Sequence, residues 1–149
     1  MEKRFFMKKI IILGGGFAGA YCARNLEQDF EVTFIDAKDY FEFTPSVLRT
    51  IVEPGHVRKI QVRHSHYLHK AKIIKEEVKN ITPTAVRIKS ASLPYDYLIL
   101  CSGSTYNTPI KEKNLVIASR AQELRDSAKK LRKAKKVLII GGGIVGVEL

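Results

Sequence analysis

Two glycine-rich segments carry the residue types and the spacing that bind a dinucleotide. Both follow the pattern G-x-G-x-x-G behind a short aliphatic run. The glycines are Gly14, Gly16 and Gly19 in the first segment and Gly141, Gly143 and Gly146 in the second. In such a turn the backbone N–H groups and a helix N-terminus meet a pyrophosphate with no side chain in the way. The recurrence of the pattern indicates two dinucleotide sites.

A carboxylate follows the first segment where a dinucleotide site needs one. Residues 31–36 form a β-rich run that ends in Asp36, about 20 residues beyond the first glycine. There a carboxylate accepts hydrogen bonds from the ribose hydroxyls of an adenosine, and its charge disfavours a 2′-phosphate, so FAD or NAD fits better than NADP. The alternative is an Asp that only ends a strand, because Asp is common in turns.

Local patterns predict the elements that position these groups. They are a helix over residues 18–26, a core strand at 73–74, an antiparallel excursion over 76–89 broken at Thr82-Pro83 and at 90–94, and a strand over 95–104 that enters a small-residue turn. The predicted fold class is α/β, a Rossmann-like domain with a parallel sheet and an antiparallel β excursion. Its last strand is expected to end near the phosphate crevice.

The second glycine-rich segment begins in the same way, but few residues follow it. Residues 137–140 read as a buried strand, and Gly146 is followed by only Val147, Glu148 and Leu149. One helical turn is a costly nucleus without elongation. We therefore expect the fold to be truncated at the start of a second nucleotide-binding domain.

Composition places the chain among globular proteins. Its 149 residues, 45% of them hydrophobic, suffice for one domain with a core. No apolar run approaches the roughly 20 residues that cross a bilayer, and the N-terminal apolar stretch is too short for a signal peptide, so a cytoplasmic location is expected. Cys22 and Cys101 form neither a disulfide framework nor a metal motif, and we expect two buried free thiols.

The net charge of +11 raises the question of an anionic partner. The charge is densest over residues 120–136, on a predicted helix with a capping box formed by Ser119 and Gln122. Its apolar stripe consists of Ala121, Leu124, Ala128 and Leu131. No aromatic residues interleave with the lysines, so specific nucleic-acid binding is not expected. A solvated face is the simplest interpretation, and attraction to anionic lipid or to phosphate-bearing cofactors is the alternative.

The ordered combination of motifs resembles the N-terminal part of the FAD-dependent pyridine nucleotide-disulfide oxidoreductase superfamily. The resemblance rests on the first glycine segment, Asp36, the tripeptide Phe43-Thr44-Pro45, the segment 95–104 and the second glycine segment. Within the superfamily the chain is most similar to type-II NADH dehydrogenases and apoptosis-inducing-factor-like oxidoreductases. No cysteine lies between Cys22 and Cys101, which disfavours the disulfide-reductase branches, whereas the sulfide-quinone reductase branch stays open.

The resemblance implies a role for each matching residue. The FAD pyrophosphate turn would comprise Gly14, Gly16, Phe17, Ala18 and Gly19, and the ribose contact Asp36 with Ala37 and Lys38. Thr44 and Pro45 would lie beside the isoalloxazine ring, Val78 would frame the adenine, and Cys101, Ser102 and Gly103 would stand for the family's Ala-Thr-Gly. Gly141, Gly143 and Gly146 would begin the NADH site, and Glu148 resembles a glutamate near the flavin and nicotinamide, the one candidate for a catalytic residue.

The resemblance also implies an organisation and a partner. The first part of an FAD-binding domain would span residues 1–110, a linker with an amphipathic helix 111–134, and an incomplete NAD(H)-binding domain 135–149. In the intact parent, NADH would reduce FAD, and the flavin would reduce a quinone or another small acceptor, with peripheral contact to the inner face of a membrane. The isolated chain is expected to be inactive.

Two further interpretations remain at this point. In the first, the chain is a nonenzymatic nucleotide-binding or partner-binding module that forms a homodimer through an exposed strand at 137–140. The second concerns three histidines, His64, His66 and His69, which lie within six residues. We expect them on a solvated helix and not in a metal site, because no cysteine or carboxylate completes a ligand set.

Overall fold

The computed structural model describes residues 7–104 and 117–148, which form two compact units. The first unit comprises residues 7–41 and 63–104, and the second comprises 42–62 and 117–148. The chain leaves the first unit within strand β3 (Tyr40–Glu42) and returns to it within strand β4 (Gln61–Arg63). The predicted linker residues 111–116 lie outside the described residues.

A four-stranded parallel sheet is the centre of the first unit. It comprises β1 (Lys9–Leu13), β2 (Glu31–Asp36), β5 (Lys72–Lys75) and β9 (Tyr97–Leu100), in the order β5-β2-β1-β9. The predicted α/β fold with a parallel sheet is confirmed. The first two strands are continuous β-branched and aromatic runs, as expected for strands covered on both faces. Accordingly, Ile12 and Phe34 have no solvent exposure.

Helix α1 (Phe17–Leu26) connects β1 to β2 in a βαβ unit. From β1 the chain moves to β2 on one side, and β9 later joins β1 on the other side. The order of the sheet therefore reverses at β1, the point outside which α/β sheets bind their ligands. Asp96, the residue before β9, links that strand to the start of β1. Its carboxylate accepts hydrogen bonds from the Lys9 amide (2.7 Å) and from Lys8 Nζ (3.0 Å).

The predicted antiparallel excursion is a three-stranded sheet. It consists of β6 (Val78–Ile81), β7 (Ala85–Ile88) and β8 (Ser92–Pro94), with β7 in the middle. The third strand falls in a segment that we expected to be a break, because Pro94 and its small neighbours are typical of turns. Proline is tolerated in a strand at the edge of a sheet, which is where β8 lies.

The second unit contains four helices within the described residues. They are α2 (Arg49–Val52), α3 (Val57–Ile60), α4 (Ile117–Lys133) and α5 (Ile144–Glu148). Leu124 on the predicted stripe of α4 is buried with Val47, Val57 and Ile60. The guanidinium of Arg120, which is also buried, donates to both carboxylate oxygens of Glu42 at 3.2 and 3.3 Å. An ion pair thus supports the packing of the second unit.

Helix α4 differs from the prediction at its start. It already includes Ile117, so Ser119 lies inside the helix and does not cap it with Gln122. The side chain of Gln122 instead donates to Asp126 and accepts from Arg125, its neighbours on the helix face. Among the helices of residues 7–104 and 117–148, none is both long and apolar enough to cross a membrane.

Residues 137–140 do not form the predicted buried strand. They have no regular secondary structure, and exposure is 83% for Leu138 and 90% for Ile140. A parallel strand needs neighbours that satisfy its backbone hydrogen bonds and cover both of its faces. Within the described residues, no strand pairs with this segment. The prediction of a buried strand at residues 137–140 was therefore wrong.

Candidate functional site

The first glycine turn lies against the end of the neighbouring strand at the point where the sheet order reverses. Gly14 has a φ of +100°, which favours glycine, and a Cβ there would collide with the carbonyl group of Cys101. Its amide donates to the Ile35 carbonyl at 2.8 Å. A Cβ on Gly19 would collide with the Gly14 carbonyl, so these two glycines allow the helix to start close to the strand.

The N-terminus of α1 is available to an anion. Its N-cap is Gly16, which has no side chain to cap the helix, and the first turn contains no acidic residue. The first amides of a helix have no partners within the helix, and the macrodipole attracts negative charge to them. Gly16, Phe17 and Ala18 are exposed, and a Cβ on Gly16 would meet no atom within 4 Å. The turn therefore leaves open space where a pyrophosphate would accept these hydrogen bonds.

Asp36 lies at the end of β2, with its side chain 10% exposed. Its Oδ2 atom is 3.1 Å from Nε2 of His64. A Cβ on Gly15 would collide with this same carboxylate and with the His64 ring. The first unit therefore brings Asp36 close to the glycine turn.

His64 is a residue that sequence reasoning missed. It was expected on a solvated helix, but it lies in a three-residue 3-10 turn (His64–His66) and is 1% exposed. Its Nδ1 atom is 2.7 Å from the Tyr67 hydroxyl, and its ring packs edge to face on Phe34. His66 and His69 are exposed as expected. The glycine at position 15, where the fingerprint accepts any residue, was the available sign that a side chain packs there.

The residue that follows β9, Cys101, packs against Gly14 of the first glycine turn. The Cys101 amide donates to the Leu13 carbonyl at 2.8 Å and extends the ladder between β9 and β1 by one residue. Its thiol is partly buried beside Cys22, and burial, followed by that neighbour, raises the pKa of Cys101. A raised pKa keeps the thiol protonated and unreactive. Ser102 and Gly103, which follow, are exposed.

The remaining residues predicted to contact FAD are Ala37, Lys38, Thr44, Pro45 and Val78. Ala37 and Lys38 directly follow Asp36, and the Lys38 ammonium lies 5.3 Å from the Tyr40 ring centroid. Val78 begins β6 in the first unit and is partly buried. Thr44 and Pro45 form a 3-10 turn (Thr44–Ser46) that belongs to the second unit.

The second glycine turn has the same internal geometry as the first. Gly141 has a φ of +106°, and a Cβ on Gly146 would collide with the Gly141 carbonyl. The Val147 amide donates to the Gly143 carbonyl at 3.0 Å as α5 begins. Glu148, the catalytic candidate, is the last residue of α5 and is exposed. This turn belongs to the second unit.

Glu27 is another buried residue that the sequence did not indicate. Its Oε2 atom accepts hydrogen bonds from the amides of His69, Lys70 and Ala71, at 2.8 to 2.9 Å. Burial alone would raise the pKa of Glu27, but the three amides together lower it. The carboxylate thus fixes the loop between the His64 turn and β5, two parts of the first unit.

The residues of the first unit fit the ADP half of a dinucleotide. They provide a helix N-terminus with no acidic residue in its first turn, open space at Gly16 and an acceptor at the end of β2, all on one edge of the sheet. In the part of the chain that the structure describes, no group of three or more His, Cys, Asp or Glu side chains is arranged to hold a metal ion. The chemistry that this edge supports is the binding of a phosphate and a ribose.

Two curated proteins are similar to this chain over nearly its whole length. Apoptosis-inducing factor homolog A of Dictyostelium discoideum is 34% identical over 145 residues, which are 95% of this chain and 36% of that protein. Ferroptosis suppressor protein 1 of Xenopus tropicalis is 33% identical over 147 residues, covering 95% of this chain and 39% of that protein. The chain thus spans little more than a third of the length of these relatives.

The fold is also that of solved structures. The sulfide:quinone oxidoreductase of Aquifex aeolicus superposes with a TM-score of 0.64 at 27% identity, over 85% of this chain and 32% of that one. Residues 8–149, which include β1 and both glycine turns, match the family model described as pyridine nucleotide-disulphide oxidoreductase. The chain belongs to the pyridine nucleotide-disulphide oxidoreductase family.

Proposed function

We propose that this chain is the N-terminal, FAD-binding part of a flavin-dependent oxidoreductase that accepts a hydride from NADH and passes electrons to a quinone or a related acceptor. FAD and NADH are the cofactors of the family. The observation that carries the proposal is the meeting of the Gly14 turn, the uncapped start of α1 and Asp36 at one edge of the sheet.

In this proposal the residues of the first unit bind and orient the ADP half of FAD. The amides of Phe17, Ala18 and Gly19 donate to the pyrophosphate, and the absence of a side chain at Gly16 lets it approach. Asp36 accepts from the ribose hydroxyls, with Ala37 and Lys38 beside it. Val78 frames the adenine, and Cys101, Ser102 and Gly103 close the crevice.

The redox chemistry belongs to the bound flavin, which accepts a hydride and releases electrons singly or in pairs. Thr44 and Pro45 would position the ring. Gly141, Gly143 and Gly146 would begin the nicotinamide site, and Glu148 would lie near both rings. The quinone is proposed because the Aquifex relative, by its name, is a sulfide:quinone oxidoreductase.

We propose the same three parts as in the sequence analysis. They are the first part of an FAD-binding domain (1–110), a linker with an amphipathic helix (111–134) and an incomplete NAD(H)-binding domain (135–149). Because the chain spans only about a third of its relatives, we propose that it binds FAD weakly and does not turn over NADH by itself. The exposed basic residues of α4 are suited to peripheral contact with an anionic membrane surface at its cytoplasmic side. Specific nucleic-acid binding is not part of the proposal.

The test is the visible absorption spectrum of the purified chain before and after addition of FAD, with any released cofactor identified by chromatography. We expect a bound flavin spectrum. Asp36→Asn should weaken FAD binding roughly 10- to 100-fold, because the substitution removes the charge that strengthens the hydrogen bonds to the ribose. Asp29→Asn, at an exposed acid of the same unit, is the matched control and should leave affinity unchanged.

Three results would each contradict a part of the proposal. Absence of flavin binding at saturating FAD would remove the FAD-site assignment. Equal affinity of the Asp36 and Asp29 variants would show that FAD binds elsewhere. NADH oxidation by the chain alone, monitored through the loss of NADH absorbance, would contradict the expected inactivity while leaving the FAD site in place.

A second candidate function is favoured by the exposure of residues 137–140. Together with Ile51 and Leu131, these residues line an open apolar cleft in the second unit. An unpaired apolar segment of this kind can add to a sheet of another chain. A homodimer that dissociates on dilution, and that is lost in Leu138→Asp, would support a partner-binding module.

A further inference from the structure

We propose that His64 is a positioning residue for Asp36, and that the buried chain Asp36–His64–Tyr67 makes the first unit selective for an unmodified ribose. The inference rests on the proposed function, since it concerns the same ADP half-site. It goes beyond that function by assigning a role to two residues that no dinucleotide fingerprint contains. The reasoning starts from the hydrogen-bond chain.

The three side chains form one continuous hydrogen-bonded chain. Oδ2 of Asp36 is 3.1 Å from Nε2 of His64, and Nδ1 of His64 is 2.7 Å from the Tyr67 hydroxyl. The imidazole is 1% exposed, so water does not compete for either nitrogen. A buried polar group of this kind is costly unless it is fully paired. Here both ring nitrogens have a partner.

The chemistry of the partners assigns the protons. An ionised carboxylate only accepts, so Nε2 carries the proton that is donated to Asp36. In the neutral imidazole Nδ1 is then an acceptor, and the Tyr67 hydroxyl must donate to it. Burial, and then the nearby charge of Asp36, raise the pKa of Tyr67, so the phenol keeps its proton. In this arrangement the Tyr67 hydroxyl donates to His64, and His64 donates to Asp36.

The backbone around His64 holds its ring in this place. The His64 amide donates to the Asp39 carbonyl at 3.2 Å, and Arg63 forms an ion pair with the Asp39 side chain at 3.1 Å. On the other side, Gly15 leaves the space that the His64 ring and the carboxylate occupy. The imidazole thus fixes the Asp36 side chain against the glycine turn.

This arrangement determines how Asp36 meets a ribose. Oδ2 is committed to His64, whereas Oδ1 has no hydrogen-bond partner among the described residues and is not one of their buried unpaired atoms. A rigid acceptor oxygen next to the turn suits a ribose hydroxyl. The same fixed charge repels a phosphate on that hydroxyl. The chain should therefore discriminate among ligands that differ only at the 2′ position.

The test uses the 149-residue chain and two soluble probes that differ only at the 2′ position, ADP and 2′-deoxy-ADP, measured by isothermal titration calorimetry. We expect the unsubstituted chain to prefer ADP over 2′-deoxy-ADP roughly tenfold, the value of one hydrogen bond to a charged group. In His64→Phe this preference should fall to roughly twofold or less, because Asp36 is no longer held. A general loosening of the fold would weaken both ligands equally and leave their ratio unchanged.

Three further variants sharpen the test. His64→Gln keeps an N–H donor for Asp36 and should restore part of the preference. Tyr67→Phe removes only the outer hydroxyl and should lower the preference less than His64→Phe does. His66→Ala, at the exposed histidine of the same turn, should change nothing. If His64→Phe fails to fold, nitrogen NMR of the unsubstituted protein tests the Asp36–His64–Tyr67 hydrogen bonds directly. The signal to detect is the proton on Nε2 of His64.

The outcomes separate the two proposals. If the unsubstituted chain binds neither ADP nor FAD, the proposed function is overturned and the role of His64 with it. If it prefers ADP and His64→Phe has the same preference, only the inference is overturned. An imidazole that carries its proton on Nδ1 alone would also overturn it, because such a ring cannot donate to Asp36.

Discussion

The two glycine turns have the same sequence pattern and the same internal geometry, yet they lie in different surroundings. Gly14 and Gly141 have φ values of +100° and +106°, and in each turn the last glycine is pressed against the carbonyl of the first. Around the first turn a Cβ on Gly14 or Gly15 would collide with neighbours, whereas one on Gly141 or Gly142 would meet nothing within 4 Å. The aliphatic runs that precede the turns are buried in one case and exposed in the other.

This difference separates what a motif encodes locally from what its context supplies. The positive φ and the close start of the helix depend on residues inside the turn, so both copies have them. The pairing of the strand and the contact with a carboxylate depend on β2, β9 and the His64 turn, which surround only the first copy among the described residues. A ligand site requires both contributions.

The largest difference between the copies should appear at their first glycines. Gly14→Ala adds backbone strain and a clash with the Cys101 carbonyl, and should lower the free energy of unfolding by about 2–6 kcal/mol. Gly141→Ala adds strain alone, about 1–3 kcal/mol. Urea denaturation followed by circular dichroism measures both. Equal losses would mean that the contact with Cys101 contributes nothing.

The strands that lead into the turns provide the next comparison. Ile11 is 2% exposed and Leu138, at the matching position, is 83% exposed. Ile11→Ala should reduce the free energy of unfolding by about 2–5 kcal/mol, because it leaves a cavity in the sheet. Leu138→Ala should change it by no more than about 0.5 kcal/mol. A large loss in Leu138→Ala would show that residues 137–140 are covered in solution.

The middle glycines test the contact between the turn and its carboxylate. Gly15→Ala would force apart the Asp36 side chain and the His64 ring, and should lower the free energy of unfolding by about 1–3 kcal/mol while also weakening ADP binding. Gly142→Ala meets open space and should have an effect within about 0.5 kcal/mol. Calorimetric ADP titration of both variants is the measurement, and retention of full ADP affinity in Gly15→Ala would contradict the expectation.

The first turn was predictable from the sequence because its signals are local and agree with one another. The aliphatic run, the glycines, the helix and Asp36 all follow known spacings, and β1, α1 and β2 lie where they were expected. The same local signals failed at residues 137–140. A parallel strand and its burial both depend on neighbouring strands, which a local pattern does not contain.

The His64 chain was not predictable for a related reason. A three-residue 3-10 turn has no periodicity, and three nearby histidines have the composition of a solvated segment. What buries His64 is its contact with Asp36, Tyr67 and Phe34, and two of these come from a strand far away in sequence. The three amides that donate to Glu27 could not be predicted either, because every residue except proline has a backbone N–H and the sequence does not indicate its partner.

Glu27 provides the smallest and most selective test, because its charge has a defined pH range. Glu27→Gln keeps an acceptor oxygen but removes the charge, and should lower the free energy of unfolding by about 1 kcal/mol at neutral pH. The pKa of Glu27 is lower in the folded state than its ordinary value of 4.5, so its contribution is present above that value.

The difference between Glu27→Gln and the unsubstituted chain should therefore be constant from pH 7 to about pH 5 and shrink as the pH falls through the lower, folded pKa. Urea denaturation at a series of pH values measures it. Glu148→Gln is the control in the second unit, because that side chain is exposed at the end of α5. A gap that widens on acidification would mean that burial, which favours the protonated acid, outweighs the three amides. The first unit would then tolerate this buried carboxylate and gain no stability from its charge.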